Sequence, residues 1–173
     1  MNNLYKIIAY ADGACSNNGK RNSKGGWAFI IRFDDNKKEI HSAGYSEMTT
    51  NQRMELLAMI KVLEEIKQRW PNLTEDIIVK SDSQYVVNGS NDWMFKWEKN
   101  GWKRSVGKNK LAEVVNLDLW KKIYELVNDL HPTIRWIKGH AGHKYNELCD
   151  NLASAAVEAQ SDYYKIVRLP TGN

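Results

Sequence analysis

Short apolar runs alternate with longer amphipathic stretches along this chain, and polar punctuation separates them. Residues 4–11 form an apolar run rich in β-branched and aromatic side chains. The run closes on Asp12, Gly13 and the polar stretch 16–19, so it predicts a core strand whose last side chain is a carboxylate. Residues 13–26 read as a loop, 27–33 as a strand, 34–37 as a turn and 39–46 as a returning strand, together an antiparallel meander. Thr49, Thr50 and Asn51 offer capping side chains for a helix in which Leu56, Ile60, Leu63 and Ile66 recur at helical spacing, ending before Pro71. Residues 77–81 look like a short buried parallel strand. A short helix over 84–88 is stopped by Gly89. Leu117, Trp120, Ile123, Tyr124 and Val127 predict a helix over 116–130. Residues 133–137 predict a last strand, 139–143 a glycine-flanked loop, and 146–160 a final helix. The order β-β-β-α-β-α-α-β-α implies an α/β fold: a mixed five-stranded sheet, three antiparallel strands and then parallel ones, flanked by helices.

A chain of 173 residues with 42% hydrophobic and 27% charged content suits one globular domain, which we place at 1–160, leaving 161–173 as a tail with no legible role. No apolar run approaches a membrane span, and the first residues lack a basic start. Two cysteines, Cys15 and Cys149, make no disulfide framework and read as reduced thiols of a cytoplasmic protein. Charge is uneven. Within 93–111, Lys96, Lys99, Lys103, Arg104, Lys108 and Lys110 face Glu98 alone, although the whole chain nets only +4. Basic character confined to one segment points to a polyanion-binding patch.

Asp12 has three possible companions. Glu55 falls near the start of the first long helix, Asp82 just after the strand over 77–81, and Asp150 on the last helix. A carboxylate beside a core is costly unless something pairs with it, so four acids in such positions point to a shared cation. Oxygen ligands without a thiolate or imidazole majority suit a hard ion such as Mg²⁺. A lone Asp is more often a cap or a solvated charge; four in matched contexts favour the metal site. His140, His143 and Cys149 also give a His-x2-His-x5-Cys spacing. Structural zinc wants four close ligands, and the fourth here would be the distant Cys15, so zinc is the weaker reading.

Residues 12–15 (Asp-Gly-Ala-Cys), 50–55 (Thr-Asn-Gln-Arg-Met-Glu), 81–86 (Ser-Asp-Ser-Gln-Tyr-Val) and 138–150, with Lys138-Gly139-His140 and Cys149-Asp150 at its ends, occur in an order that closely resembles ribonuclease H type 1. The resemblance runs from Tyr5 to about Ala156. It implies a ribonuclease H-like fold carrying a basic handle over 93–111. It implies an endonuclease that cuts the RNA strand of RNA–DNA hybrids with two Mg²⁺ ions, Mn²⁺ as a substitute, leaving 5′-phosphate and 3′-hydroxyl ends. By position it puts the catalytic, metal-binding carboxylates on Asp12, Glu55, Asp82 and Asp150, and a mobile proton-carrying histidine on His140, whose loss should slow the reaction rather than abolish it. His143 is as readily a structural hydrogen-bonding group.

The resemblance also places substrate contacts. Cys15, Asn18, Asn51, Gln52 and Gln84 are short polar groups suited to 2′-hydroxyls in a shallow minor groove. Thr50 and Arg53 would hold a DNA phosphate, with plain helix capping as the alternative for Thr50 and Asn51. Trp93, Lys99, Trp102 and Lys103 would meet the DNA strand, while Trp97 shares a helical face with Trp93 and is expected partly inward. The chain departs from the family pattern in the extra loop residues Lys20 to Ser23, in Glu98 and Asn100 where the handle is usually basic, and in the tail. A monomer without an obligate protein partner is expected. The rival readings are a non-catalytic hybrid- or duplex-RNA-binding module and a DNA nuclease or strand-transfer enzyme on the same fold.

Overall fold

A computed structural model describes residues 7–73 and 75–170. The first residues of the predicted first strand, 4–6, and the end of the tail, 171–173, lie outside them. Strands β1 (Ile7–Ser16), β2 (Lys24–Phe33) and β3 (Lys38–Glu47) form the expected meander, followed by α1 (Asn51–Arg69) and β4 (Ile77–Ser81). Helix α2 (Gln84–Asn88), a π-helical turn (Gly89–Trp93) and α3 (Met94–Lys99) run into a hairpin of β5 (Lys103–Gly107) and β6 (Lys110–Glu113). Helix α4 (Leu117–Leu130), β7 (Thr133–Trp136), α5 (Lys144–Ala159) and β8 (Tyr163–Arg168) complete the chain.

The main sheet has six strands in the order β7-β4-β1-β2-β3-β8, not five. The five predicted strands are all present, with β1 antiparallel to β2 and parallel to β4, and β4 parallel to β7. The sixth comes from the stretch read as a tail: β8 pairs antiparallel with β3, and the Tyr164 hydroxyl donates to Glu65 Oε1 on α1 at 2.6 Å. Two further readings need correcting. Residues 13–16 and 24–26 are not loop but the paired ends of β1 and β2, with Gly13 opposite Trp27 and Cys15 opposite Gly25. Asp12 therefore sits inside a strand, paired with Ala28 of β2 and one residue past the last β1–β4 pair, Ala11 and Ser81. Gly89 does not stop the helix, because the chain continues through it in helical conformation (φ −63°, ψ −43°). Its missing side chain makes room for the indole of Trp120, which a Cβ there would strike.

Strand alternation divides the sheet into two faces. Ile7, Ala9 and Ala11 of β1 join Phe29, Ile31, Ile40 and Val79 beneath Leu56, Met59, Ile60, Leu63 and Ile66 of α1, and Trp120 and Ile123 of α4 extend that core. The opposite face is covered by α5 through small side chains, Ala153 and Ala156 against Ala28 and Ala43. Their size lets the helix lie close enough to bring its acid to the end of β1. The tryptophans of the basic segment are half-buried, and each also packs against a neighbouring ring. Trp97 meets Trp120 with ring centroids 5.5 Å apart, Trp102 stands edge-on to Tyr124 at 5.5 Å, and Trp93 leans on Tyr85 at 6.0 Å.

Candidate active site and metal centre

Asp12 points to the α5 face, on the same side of β1 as Tyr10, and the next strand ends beside it: Ala11 is level with Ser81, one residue before Asp82. Gly13 lets α1 close the corner. A Cβ at Gly13 would fall 2.5 Å from the backbone nitrogen of Glu55 and 2.6 Å from the carbonyl carbon of Met54, so only glycine allows the first turn of α1 to rest against β1. Thr50 caps that turn by accepting from the Arg53 amide at 3.1 Å. Gly139 performs the same service in the β7–α5 loop, where a Cβ would meet Asp82 Oδ2 at 2.6 Å. Carboxylate oxygens of Asp12, Glu55 and Asp82 consequently lie within 4.8 Å of one another. Asp150 stands outside that triangle, yet its charge still acts on Asp12.

The electrostatics follow from this crowding. Asp12 is 5% exposed. Burial first, then the charge of Asp82, lifts its carboxyl from 3.8 to about 8, against a hydrogen bond from the Gly13 amide at 2.9 Å. Glu55 is lifted from 4.5 to about 6, again mainly by burial, while a hydrogen bond from Ser83 opposes the shift. Among the described residues no Lys, Arg or His pairs with any of the four acids. A desolvated carboxylate cluster with no cation from its own chain fits a divalent ion, and the donor set is all oxygen, which suits a hard one. The same residues do not fit zinc. His140 and His143 are exposed in their loop, Cys149 is buried with its thiol 3.6 Å from the Tyr10 carbonyl, and among the described residues only the acid triad brings three ligand atoms together.

The remaining predicted residues divide by neighbourhood. His140 occupies a left-handed position (φ 53°) in the exposed loop beside Gly139. The Asn18 side chain receives the Asn51 amide at 2.8 Å, and Cys15 directs its thiol to the Thr49 carbonyl at 3.7 Å, so these loops rim the start of α1. Asn51, Gln52 and Gln84 are exposed beside the acids. Arg53 is already engaged: its guanidinium grips Asp118 at 3.0 and 2.7 Å and Asn116 at 3.2 Å. Lys99 and Lys103 lie in water at the base of the β5–β6 hairpin. Sequence reasoning missed Asn146 and Ser83. Asn146 is buried and donates to Asp82 Oδ2 at 3.4 Å, and a buried asparagine in the first turn of an otherwise apolar helix face was its only signal. Ser83 caps α2 and bonds Glu55, and nothing local distinguishes it from an ordinary cap.

The family model for RNase H matches residues 5–158. The chain belongs to the ribonuclease H family. Members are metal-dependent hydrolases that cut the RNA strand of RNA–DNA hybrids. The chain is 43% identical to the ribonuclease H of Rhodopirellula baltica over 152 residues, covering 88% of this chain and 90% of the relative. It is 41% identical to that of Francisella tularensis subsp. novicida, over 88% and 91%. Among solved structures it resembles LC9-RNase H1, a type 1 ribonuclease H with the type 2 active-site motif, at 28% identity and a TM-score of 0.79, covering 94% of this chain and 76% of that one. LC11-RNase H1, solved with an RNA/DNA hybrid, shares the fold at 22% identity and a TM-score of 0.65, over 90% and 99%. No helix among the described residues is long and apolar enough to cross a membrane.

Proposed function

We propose that this chain cuts the RNA strand of RNA–DNA hybrids internally, using two divalent ions held by Asp12, Glu55, Asp82 and Asp150 and leaving 5′-phosphate and 3′-hydroxyl ends. The observation that carries the reading is the meeting of three carboxylates from β1, α1 and the end of β4 within 4.8 Å, with no cation from the chain among the described residues. Two such ions supply a water activated for attack and neutralisation of charge on the scissile phosphate and the departing oxygen. Mg²⁺ is the natural occupant, with Mn²⁺ as a substitute, because both accept carboxylate and water oxygens.

The chain's own groups do the positioning. Pairing with β2 holds Asp12, Ser83 orients Glu55, and Asn146 orients Asp82. His140, on its exposed glycine-flanked loop, carries protons to or from the product phosphate near neutral pH. Asn51, Gln52, Gln84, Cys15 and Asn18 surround the acids with short polar groups that suit 2′-hydroxyls and so select RNA on the cut strand. Lys99 and Lys103, with Trp93 and Trp102, meet the DNA strand through its backbone, which gives little sequence preference. A DNA phosphate at Thr50 and Arg53 would compete with Asp118 for the guanidinium. We further read the protein as a cytoplasmic monomer needing no protein partner, with one catalytic domain that runs past residue 160 to include β8.

The test is cleavage of one labelled RNA strand presented as a hybrid, as duplex RNA and alone, with Mg²⁺ and with EDTA. Cutting of the hybrid alone, and only with metal, is expected. Cutting in EDTA, or binding of the hybrid without cutting, would contradict the reading.

A further inference from the structure

The α5 face of the sheet carries a second cationic group that the acids do not use. One step back along β1 from Asp12 is Tyr10, and one step back along β4 from Asp82 is Lys80. Both pairs are separated by two residues, so Tyr10 and Lys80 share the face of the acids about 7 Å away along each strand. Lys80 Nζ lies 5.7 Å from the centre of the Tyr10 ring. Tyr10 in turn stacks on Tyr145 of α5, with centroids 5.2 Å apart and planes 26° from parallel. Lys144 Nζ lies 5.4 Å from the Tyr145 centroid, and Arg135 on β7 is level with Lys80 in the sheet register. Among the described residues Lys80, Arg135 and Lys144 make no ion pair, whereas the nearby Arg32 is committed to the buried Glu39 at 3.3 Å.

The tyrosine stack is not loosely placed. The Tyr145 hydroxyl donates to Glu39 Oε2 at 2.5 Å, the Arg32 guanidinium lies 4.4 Å from the centre of that ring, and His41 adds a third bond to Glu39 at 2.9 Å. A cation resting on such a fixed ring has already lost much of its side-chain freedom, and it keeps its N–H groups for an anion. The patch is continuous with the acid cluster, because Lys80 precedes Asp82 on one strand end and Lys144 lies between His140 and Asp150 in the chain. It is separate from the basic hairpin, which projects as its own two-stranded sheet.

We infer that Lys80, Arg135 and Lys144, set on the Tyr10–Tyr145 stack, form a phosphate-binding surface for the RNA strand next to the point of cleavage. The inference rests on the proposed hybrid cutting, since it takes the strand that passes the acids as the one that continues onto the patch. Three backbone contacts of this kind release counterions and contribute about 2–3 to the slope of log affinity against log salt.

Binding of a fluorescent RNA–DNA hybrid in EDTA, over a series of salt concentrations, tests it without requiring any cutting. The variant Lys80→Gln/Arg135→Gln/Lys144→Gln is expected to bind about tenfold more weakly at low salt and to lose about 2–3 from the slope. The double variant Arg135→Gln/Lys144→Gln, at two exposed positions, is expected to move the same way by less, which guards against a folding defect at half-buried Lys80. An unchanged slope in both variants would overturn the inference. A second series uses a hybrid whose DNA strand carries uncharged methylphosphonate linkages. The loss persists there if the patch holds RNA phosphates; its disappearance would mean that the patch holds the DNA strand and would overturn the assignment. A wild type that binds in this way yet fails to cut with Mg²⁺ would count against the proposed function alone.

Discussion

At the acid end of the sheet, Asp12 is 5% exposed, and its neighbours Glu55 and Asp82 approach it because β1, α1 and β4 leave them nowhere else to go. In the β5–β6 hairpin, Lys103, Lys108 and Lys110 stand in water, on strands whose only partners are each other. The first arrangement concentrates like charge in a low dielectric, and the core that enforces it bears the cost. The second spreads like charge through solvent, where it costs little and acts through a screened, nearly additive field. The acids should therefore respond sharply to single changes and to backbone position. The hairpin should respond gradually and chiefly to salt.

The largest expected effect is at Asp12. Asp12→Asn removes one charge of a site worth several kcal/mol of transition-state stabilisation, so hybrid cutting should fall by about a thousandfold or more. Its melting temperature should hold or rise, because the repulsion is relieved. A fully active Asp12→Asn protein would separate the acids from the chemistry.

The same repulsion has a pH signature in metal-free protein. The folded-state pKa of Asp12, about 8, stands above its ordinary 3.8, and that of Glu55, about 6, above 4.5. Between those values the folded chain keeps protons that the unfolded chain has released. Metal-free stability should thus fall as pH rises from about 4 to about 8 and then level off. Chemical denaturation across that range should show the decline, and Asp12→Asn should remove most of it. A stability that climbs over the same window would contradict the burial of these acids.

Gly13→Ala tests the backbone half of the comparison without touching a charge. Its Cβ would force β1 and α1 apart at Glu55, at a cost of about 1–3 kcal/mol in stability and about a hundredfold in rate. Wild-type kinetics in that variant would mean that the closeness of α1 to β1 is not needed. The smallest effect belongs to the hairpin. Neutralising Lys99, Lys103 and Arg104 should leave stability within about 0.5 kcal/mol and reduce the salt slope of hybrid binding by about 2–3. An unchanged slope would show that the hairpin does not touch phosphate.

Much of this was legible in the residues because it rests on periodicity. Helical spacing in α1 and α4, alternation in the meander and the apolar run of β4 each gave an element of the right type. Asp12, Glu55 and Asp82, which the structure brings together, could be singled out because each interrupts or ends an apolar stretch. What stayed hidden depends on partners far along the chain. Residues 163–168, Tyr-Tyr-Lys-Ile-Val-Arg, do carry a strand signal in their β-branched and aromatic side chains, but the sequence cannot show that the edge of β3 takes them up as β8. Gly13, Gly25 and Gly26 read as loop glycines, yet they lie in strands because α1 and α5 pass too close for a side chain. Gly89 read as a stop for a similar reason, since no local pattern announces the indole of Trp120. Trp97, expected partly inward, meets Trp120, whereas the edge-on packing of half-buried Trp102 against Tyr124 has no signal in the linear sequence. The pairing of Arg53 with Asp118, 65 residues away, is equally invisible in the linear sequence.

If the carboxylates meet in order to hold divalent metal, removing one of them should empty the site. The most direct measurement is a titration of free Mn²⁺ by electron paramagnetic resonance, with wild-type protein, with Asp12→Asn and with the hairpin variant. Saturable Mn²⁺ binding is expected for the wild type, unchanged binding for the hairpin variant and loss of that binding for Asp12→Asn. Equal binding by wild type and Asp12→Asn would place the metal elsewhere and show that these carboxylates do not hold it.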